Sequence, residues 1–166
     1  TVWLKFDVMK KNFRDTGGEG KEPVIRADME RIIGSYPDGH LDKARDCSVF
    51  LTAFYTGARS CTFPNLIVAD IHSVVNIEDT NKAAVRIRYR KIKGDDDSNK
   101  SCTIDGTFSN SGSLNYVYWL ERHLNQAFGI SLKDCDKWPS AIKRQRVWPM
   151  AEKTLSKRFR DCAERA

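Results

Sequence analysis

Arginine and lysine are the residues whose spacing in this chain best suits chemistry on a phosphate. Thr56-Gly57-Ala58-Arg59 follows an apolar, helix-periodic run from Ala44 to Phe54 and precedes a second apolar run, Leu66-Ile67-Val68, closed by Ala69-Asp70-Ile71. A helix that ends in Thr-Gly with an arginine just past the break fixes a cation at a chain reversal. Gly57 supplies the backbone conformation that such a turn needs. A guanidinium can grip a phosphate with two parallel hydrogen bonds. The motif is short, and a plain surface charge after a helix stop fits Arg59 equally well.

Two further groups of cations stand out. Arg86, Arg88 and Arg90 alternate along one predicted strand, so all three point to one face. A basic face beside a phosphate site and a solvated face are both consistent with that spacing. Lys143, Arg144 and Arg146 lie in a run between Trp138 and Trp148. They read either as contacts to a DNA backbone with aromatic packing or as a solvated loop whose tryptophans fill the core.

Other chemistries find less support. Asp95-Asp96-Asp97 lacks the alternating ligands and distal glutamate of a calcium loop. Gly17-Gly18-Glu19-Gly20 lacks the Lys-Ser/Thr that follows a phosphate loop. The five cysteines are odd in number and scattered, with no C-x-x-C pair, which argues against a disulfide framework or a zinc module. Cys47 and Cys162 fall on apolar helix faces as small core residues. The expectation is no metal and no cofactor.

Length and composition set the frame. The 166 residues suit one domain with a sizeable core, and 40% hydrophobic with 30% charged residues describes a globular chain. A formal net charge of +6 favours an acidic partner, nucleic acid first. No run is long or apolar enough to span a membrane, and no signal peptide is present. The expected setting is reducing and intracellular, nuclear in a eukaryote or cytoplasmic in a prokaryote. The chain opens without a methionine, as if cut from something longer.

The elements that must position these cations follow from periodicity. Val2, Phe6, Met9 and Phe13 mark a first helix, and residues 16–23 a linker, so residues 1–21 lead into the domain. A second helix starts near Ala27 and ends at Gly34 and Pro37-Asp38-Gly39; a third runs from about Leu41 to Tyr55. Val74, Val75 and Ile77, then Val85, Ile87 and Tyr89, read as strands, and Cys102-Thr103-Ile104 as a return strand across a polar turn at 93–99. Leu114, Val117, Leu120 or Glu121, Leu124 and Phe128 stripe a strong helix, with His123 on its surface. Residues 130–149 are irregular, and Ala151, Leu155, Phe159, Cys162 and Ala166 line a last helix. The fold class is α+β, mainly helical, with a small three-stranded antiparallel sheet between helices.

This order resembles the catalytic domain of tyrosine site-specific recombinases and phage-type integrases, in which a helix runs into Thr-Gly-x-Arg. Val24 through Ile33 is similar to the family's entry helix, Leu66 through Ile71 to its exit from the arginine turn into the sheet, and Leu155 through Ala163 to the helix before its His-x-x-Arg motif. The likeness spans residues 22–166, as the front part of such a domain, and the crypton-like eukaryotic mobile-element branch is a plausible home. It implies DNA recombination and integration through a 3′-phosphotyrosine link, without metal, on double-stranded DNA and with other recombinase protomers as partners.

By the same resemblance, Arg59 is the first phosphate-gripping arginine and Lys93, just before the hairpin turn, is the general acid. Lys91, two residues earlier on the same strand face, is the fallback and otherwise a DNA contact. The chain departs from the pattern at Thr62, where the family usually has an acidic residue. The family's His-x-x-Arg and its nucleophilic tyrosine do not occur in the 166 residues; Tyr55, Tyr89 and Tyr118 read as structural. As given, the chain is expected not to cleave DNA alone. A non-catalytic DNA-binding or scaffold protein that retains the fold is the alternative.

Overall fold

A computed structural model describes residues 24–58, 60–90 and 99–166. The predicted helix at 2–13, Arg59, Lys91, Lys93 and the Asp95–Asp97 turn lie outside the described residues. Two helices come first, α1 (Arg26–Gly34) and α2 (Lys43–Thr56), followed by short 3-10 turns at Ser60–Asn65 and Val68–Asp70. Strands β1 (Ile71–Val75), β2 (Lys82–Arg90) and β3 (Asn99–Thr107) form one antiparallel sheet in the order β1-β2-β3. Helix α3 (Tyr116–Phe128), a 3-10 turn at Leu132–Lys137, the short α4 (Ser140–Lys143) and α5 (Glu152–Arg165) complete an α+β fold. No helix among the described residues is long and apolar enough to cross a membrane.

Helix α2 is the centre of the core. Ten of its fourteen residues are buried, from Ala44 to Phe54. A helix apolar on nearly all sides must be surrounded, and α3 and α5 supply that cover: Phe50 meets Phe159 edge-on at 5.2 Å, and Thr52 Oγ1 lies 2.7 Å from the Tyr116 hydroxyl. Helices α2 and α3 stop at glycines in the left-handed conformation, Gly57 (φ 65°) and Gly129 (φ 66°), as the Thr-Gly and Phe-Gly endings predict.

The sheet presents Ile71, Val85, Ile87 and Ile104 to this core and His72, Val74, Arg86 and Arg88 to the other side. Gly106 of β3 is where α3 approaches most closely: a Cβ there would sit 2.6 Å from Asn115 Oδ1 and 2.8 Å from Val117. Asn115, just before α3, ties the chain between β3 and the helix together, accepting from Thr107 N–H at 3.0 Å and donating to the Thr107 and Ser109 carbonyls.

Three sequence expectations need correction. Ile77, read with Val74 and Val75 as strand, is 96% exposed. The inward positions of β1 are Ile71 and Ser73, whose hydroxyl donates to the Leu132 carbonyl, and Ile77 follows the strand's end. Ala151 and Ala166 flank α5 and are exposed, so the buried stripe is Leu155, Phe159 and Cys162.

The third correction is His123, which is buried rather than on the surface of α3. Its Nε2 lies 2.6 Å from the Val147 carbonyl and its ring stacks on Trp148. A carbonyl only accepts, so Nε2 carries a proton, and burial favours the neutral ring over the charged one. Burial pushes the His123 pKa below its usual value; the Val147 hydrogen bond and Asp46 oppose that shift, and Arg45 adds to it. In the unfolded chain the ring titrates near the ordinary value of about 6.5. Below that pH the unfolded state takes up a proton that the folded state refuses. The stability from neutral His123 is therefore complete above about pH 6.5 and is lost as pH falls towards the depressed folded pKa. Melting temperature should fall between about pH 7 and pH 5, and less steeply in His123→Gln; identical slopes for the two proteins would contradict this.

Candidate nucleic-acid interface

Three sets of contacts hold the described residues that precede and follow position 59. Inside the turn, Thr56 Oγ1 donates to the Thr52 carbonyl at 2.7 Å and accepts from Ala58 N–H at 3.2 Å. From the sheet, the Tyr89 hydroxyl donates to the Thr56 carbonyl at 3.4 Å. The end of β2, which leads to Lys91 and Lys93, therefore adjoins the end of α2, which leads to Arg59. After position 59 in the chain, Ser60 Oγ donates to Glu152 Oε1 in the first turn of α5 at 2.6 Å. Thr62, where the recombinase pattern has an acidic residue, is buried at 6% exposure.

The basic run at 143–146 is attached to the chain just beyond this turn. Val68 N–H donates to the Gln145 carbonyl and Val147 N–H to the Leu66 carbonyl, both at 2.9 Å, around an antiparallel bridge between Ile67 and Arg146. Trp138 and Trp148 belong to the core, with the Trp148 indole N–H donating to Ser48 Oγ at 2.9 Å. They anchor the segment from inside, while Arg144 and Arg146 are exposed and Lys143 is half-buried.

Arg86 and Arg88 point away from the core, between the buried Val85 and Ile87. Arg90 closes β2 opposite Asn99, but its side chain lies outside the described residues. The outer face of the sheet and the 132–143 segment enclose an open cleft of about 560 Å³, into whose lining Arg86, Arg88, Lys100 and Lys143 all contribute. Arg88 has a carboxylate neighbour, Asp70 at 3.6 Å. Among the described residues, no carboxylate lies within ion-pair distance of Arg86, Lys100 or Lys143.

Three of the seven sequence-predicted DNA contacts, Arg86, Arg88 and Lys143, are thus brought to one cleft. Arg144 and Arg146 extend along the adjoining segment. Arg59, Lys91 and Lys93 lie outside the described residues. Sequence reasoning missed Lys100, which follows the polar turn, and His72, Cys135 and Asp136, which line the same cleft. His72 faces outward directly beside Arg86 in the β1–β2 register, which strict alternation from Ile71 could have revealed.

Four of the five tyrosines are engaged as structural residues. Tyr116 is fully buried and Tyr36 donates to the carboxylate of buried Asp46, and burial pushes both hydroxyls above the ordinary phenol range. Tyr55 and Tyr89 donate to backbone carbonyls, as structural residues do. No family model, curated protein or solved structure matches this chain.

Proposed function

We propose that this chain binds the sugar–phosphate backbone of duplex DNA in the cleft between the outer sheet face and residues 132–146. The observation that carries the reading is the convergence of Arg86, Arg88, Lys100 and Lys143 from three separate elements. Duplex DNA carries closely spaced phosphates, and its affinity for proteins comes largely from such cations. Titration with a mixed-sequence duplex should move the backbone amide resonances of residues 70–72, 86–88 and 135–143 together. Shifts confined to the face of α3 that carries Arg122 would contradict the reading.

The finer form is that of a tyrosine-recombinase catalytic domain, with Arg59 gripping the scissile phosphate and Lys93, or Lys91, protonating the leaving 5′-oxygen. Two features support it: the order of helices, arginine turn and three-stranded sheet, and the Tyr89–Thr56 hydrogen bond that joins the two strands of chain leading to these residues. Two arginines and a lysine stabilise charge in such a reaction by fixed donors aimed at the phosphate. In a protein that carries this chain together with the family's His-x-x-Arg and tyrosine, Arg59→Lys should lower strand cleavage on a suicide substrate by roughly a hundredfold or more and leave duplex binding largely intact. Near wild-type cleavage would remove Arg59 from the mechanism.

Buried Thr62 favours a second reading. A hydroxyl cannot form a bidentate ion pair with an arginine, so a protein that kept the fold for binding without cleavage fits this position. The same cleavage assay, negative in the parent protein while binding persists, would support that form.

A further inference from the structure

We propose that His72, Cys135 and Asp136 hold one zinc ion at the wall of the basic cleft. Their donor atoms all lie within 4.8 Å of one another, with Cys135 Sγ 3.9 Å from His72 Nδ1 and 3.9 Å from Asp136 Oδ1. Tetrahedral zinc with ordinary bond lengths separates sulfur from nitrogen or oxygen ligands by about 3.6 Å. The present spacing therefore needs only small side-chain rotations to close on an ion. One thiol, one imidazole and one carboxylate form a mixed set that suits zinc better than magnesium or calcium, which prefer oxygen alone.

The donors stand on elements that are already fixed. His72 is in β1, hydrogen-bonded in register against β2. Cys135 and Asp136 are in the 3-10 turn at 132–137, which is braced from α3: Glu121 accepts from Ser131 Oγ at 2.6 Å and from Leu132 N–H at 2.7 Å. The Trp138 indole N–H closes the turn onto the Ser131 carbonyl at 2.8 Å. Such supports hold a ligand set in place before the ion arrives.

Cys135 now donates its thiol hydrogen to the Ser73 carbonyl at 3.3 Å. On binding, that proton passes to water and the sulfur bonds to zinc as thiolate. Three protein ligands leave the fourth corner for water or an anionic oxygen, and it opens towards Arg86, Arg88, Lys100 and Lys143. His72 lies 63 residues before Cys135, so no compact ligand spacing exists to read. The site stands independently of the nucleic-acid reading.

The test uses the whole chain, freed of metal by a chelator and then titrated with Zn²⁺ by calorimetry and with Co²⁺ by absorption. One equivalent of each ion should bind, and Co²⁺ should show a sulfur-to-metal charge-transfer band. Cys135→Ser should remove that band, and Cys135→Ser and His72→Gln should each weaken zinc binding by roughly tenfold or more. His72 is exposed and Cys135 is partly buried, so thermal melts of the metal-free variants beside the parent separate loss of a ligand from misfolding. Absence of stoichiometric uptake would overturn the site. So would uptake with an unchanged band in the His72→Gln/Cys135→Ser double variant, which would put the ion on other residues.

Discussion

Asp46→Ala should lower the free energy of unfolding by about 3–5 kcal/mol, a large part of the stability of an ordinary domain. Asp46 has no exposed surface, yet it accepts hydrogen bonds from the Tyr36 hydroxyl, from Arg45 Nε at 3.1 Å and from Arg158 Nη1 at 3.2 Å. Asp42 shares both arginines, at 3.1 Å from Arg45 and 3.2 Å from Arg158. The cluster joins the turn after α1, the first turn of α2 and the middle of α5. With Asp46 gone, two cations and a phenol are left with one partly exposed carboxylate among them. Removing one partner of a buried ionic group costs far more than the group's net contribution, because the remaining charges stay desolvated. Arg158→Leu should cost less, since Tyr36 and Arg45 still satisfy Asp46. Denaturant unfolding of the three proteins measures both; a loss under about 1 kcal/mol for Asp46→Ala, the level of an exposed pair, would show the cluster to be incidental.

The second large effect is on binding. Arg86→Gln/Arg88→Gln/Lys143→Gln should weaken duplex affinity by on the order of a hundredfold at low salt, taking about 1 kcal/mol for each phosphate that no longer meets a cation. Arg86 and Arg88 are exposed, Lys143 is half-buried, and the one ion pair among them, Arg88 with Asp70, is itself solvated. Such pairs add little to stability, so the triple variant should melt like the parent. Fluorescence anisotropy against a labelled duplex measures the change. Affinity within about threefold of the parent, a difference of about 0.6 kcal/mol, would exclude these residues from the interface.

Much of the scaffold was legible because one rule governed each element. Buried Ala44, Cys47, Leu51 and Phe54 recur at helical spacing, and Val85 and Ile87 alternate with outward arginines, so periodicity alone located α2 and β2. His123 escaped because a polar residue beside an apolar stripe reads as surface. Its position three after Leu120 was the available signal, but its partner, the Val147 carbonyl, lies in an irregular segment with no periodicity. Ile77 misled for a different reason: its β-forming side chain suggests a strand position, whereas β1 ends at Val75. The cleft was legible in part. Local spacing gave the shared face of Arg86 and Arg88, but only the tertiary staple between residues 66–68 and 145–147 brings Lys143 opposite them.

The salt dependence of duplex binding by the parent chain tests the central claim most directly. If Arg86, Arg88, Lys100 and Lys143 each neutralise a phosphate, a plot of log affinity against log salt should be linear with a slope of about −3.6 or steeper, at about −0.9 for each phosphate neutralised. A slope near zero with the fold intact, or no binding at low salt, would contradict the assignment of this cleft to the DNA backbone.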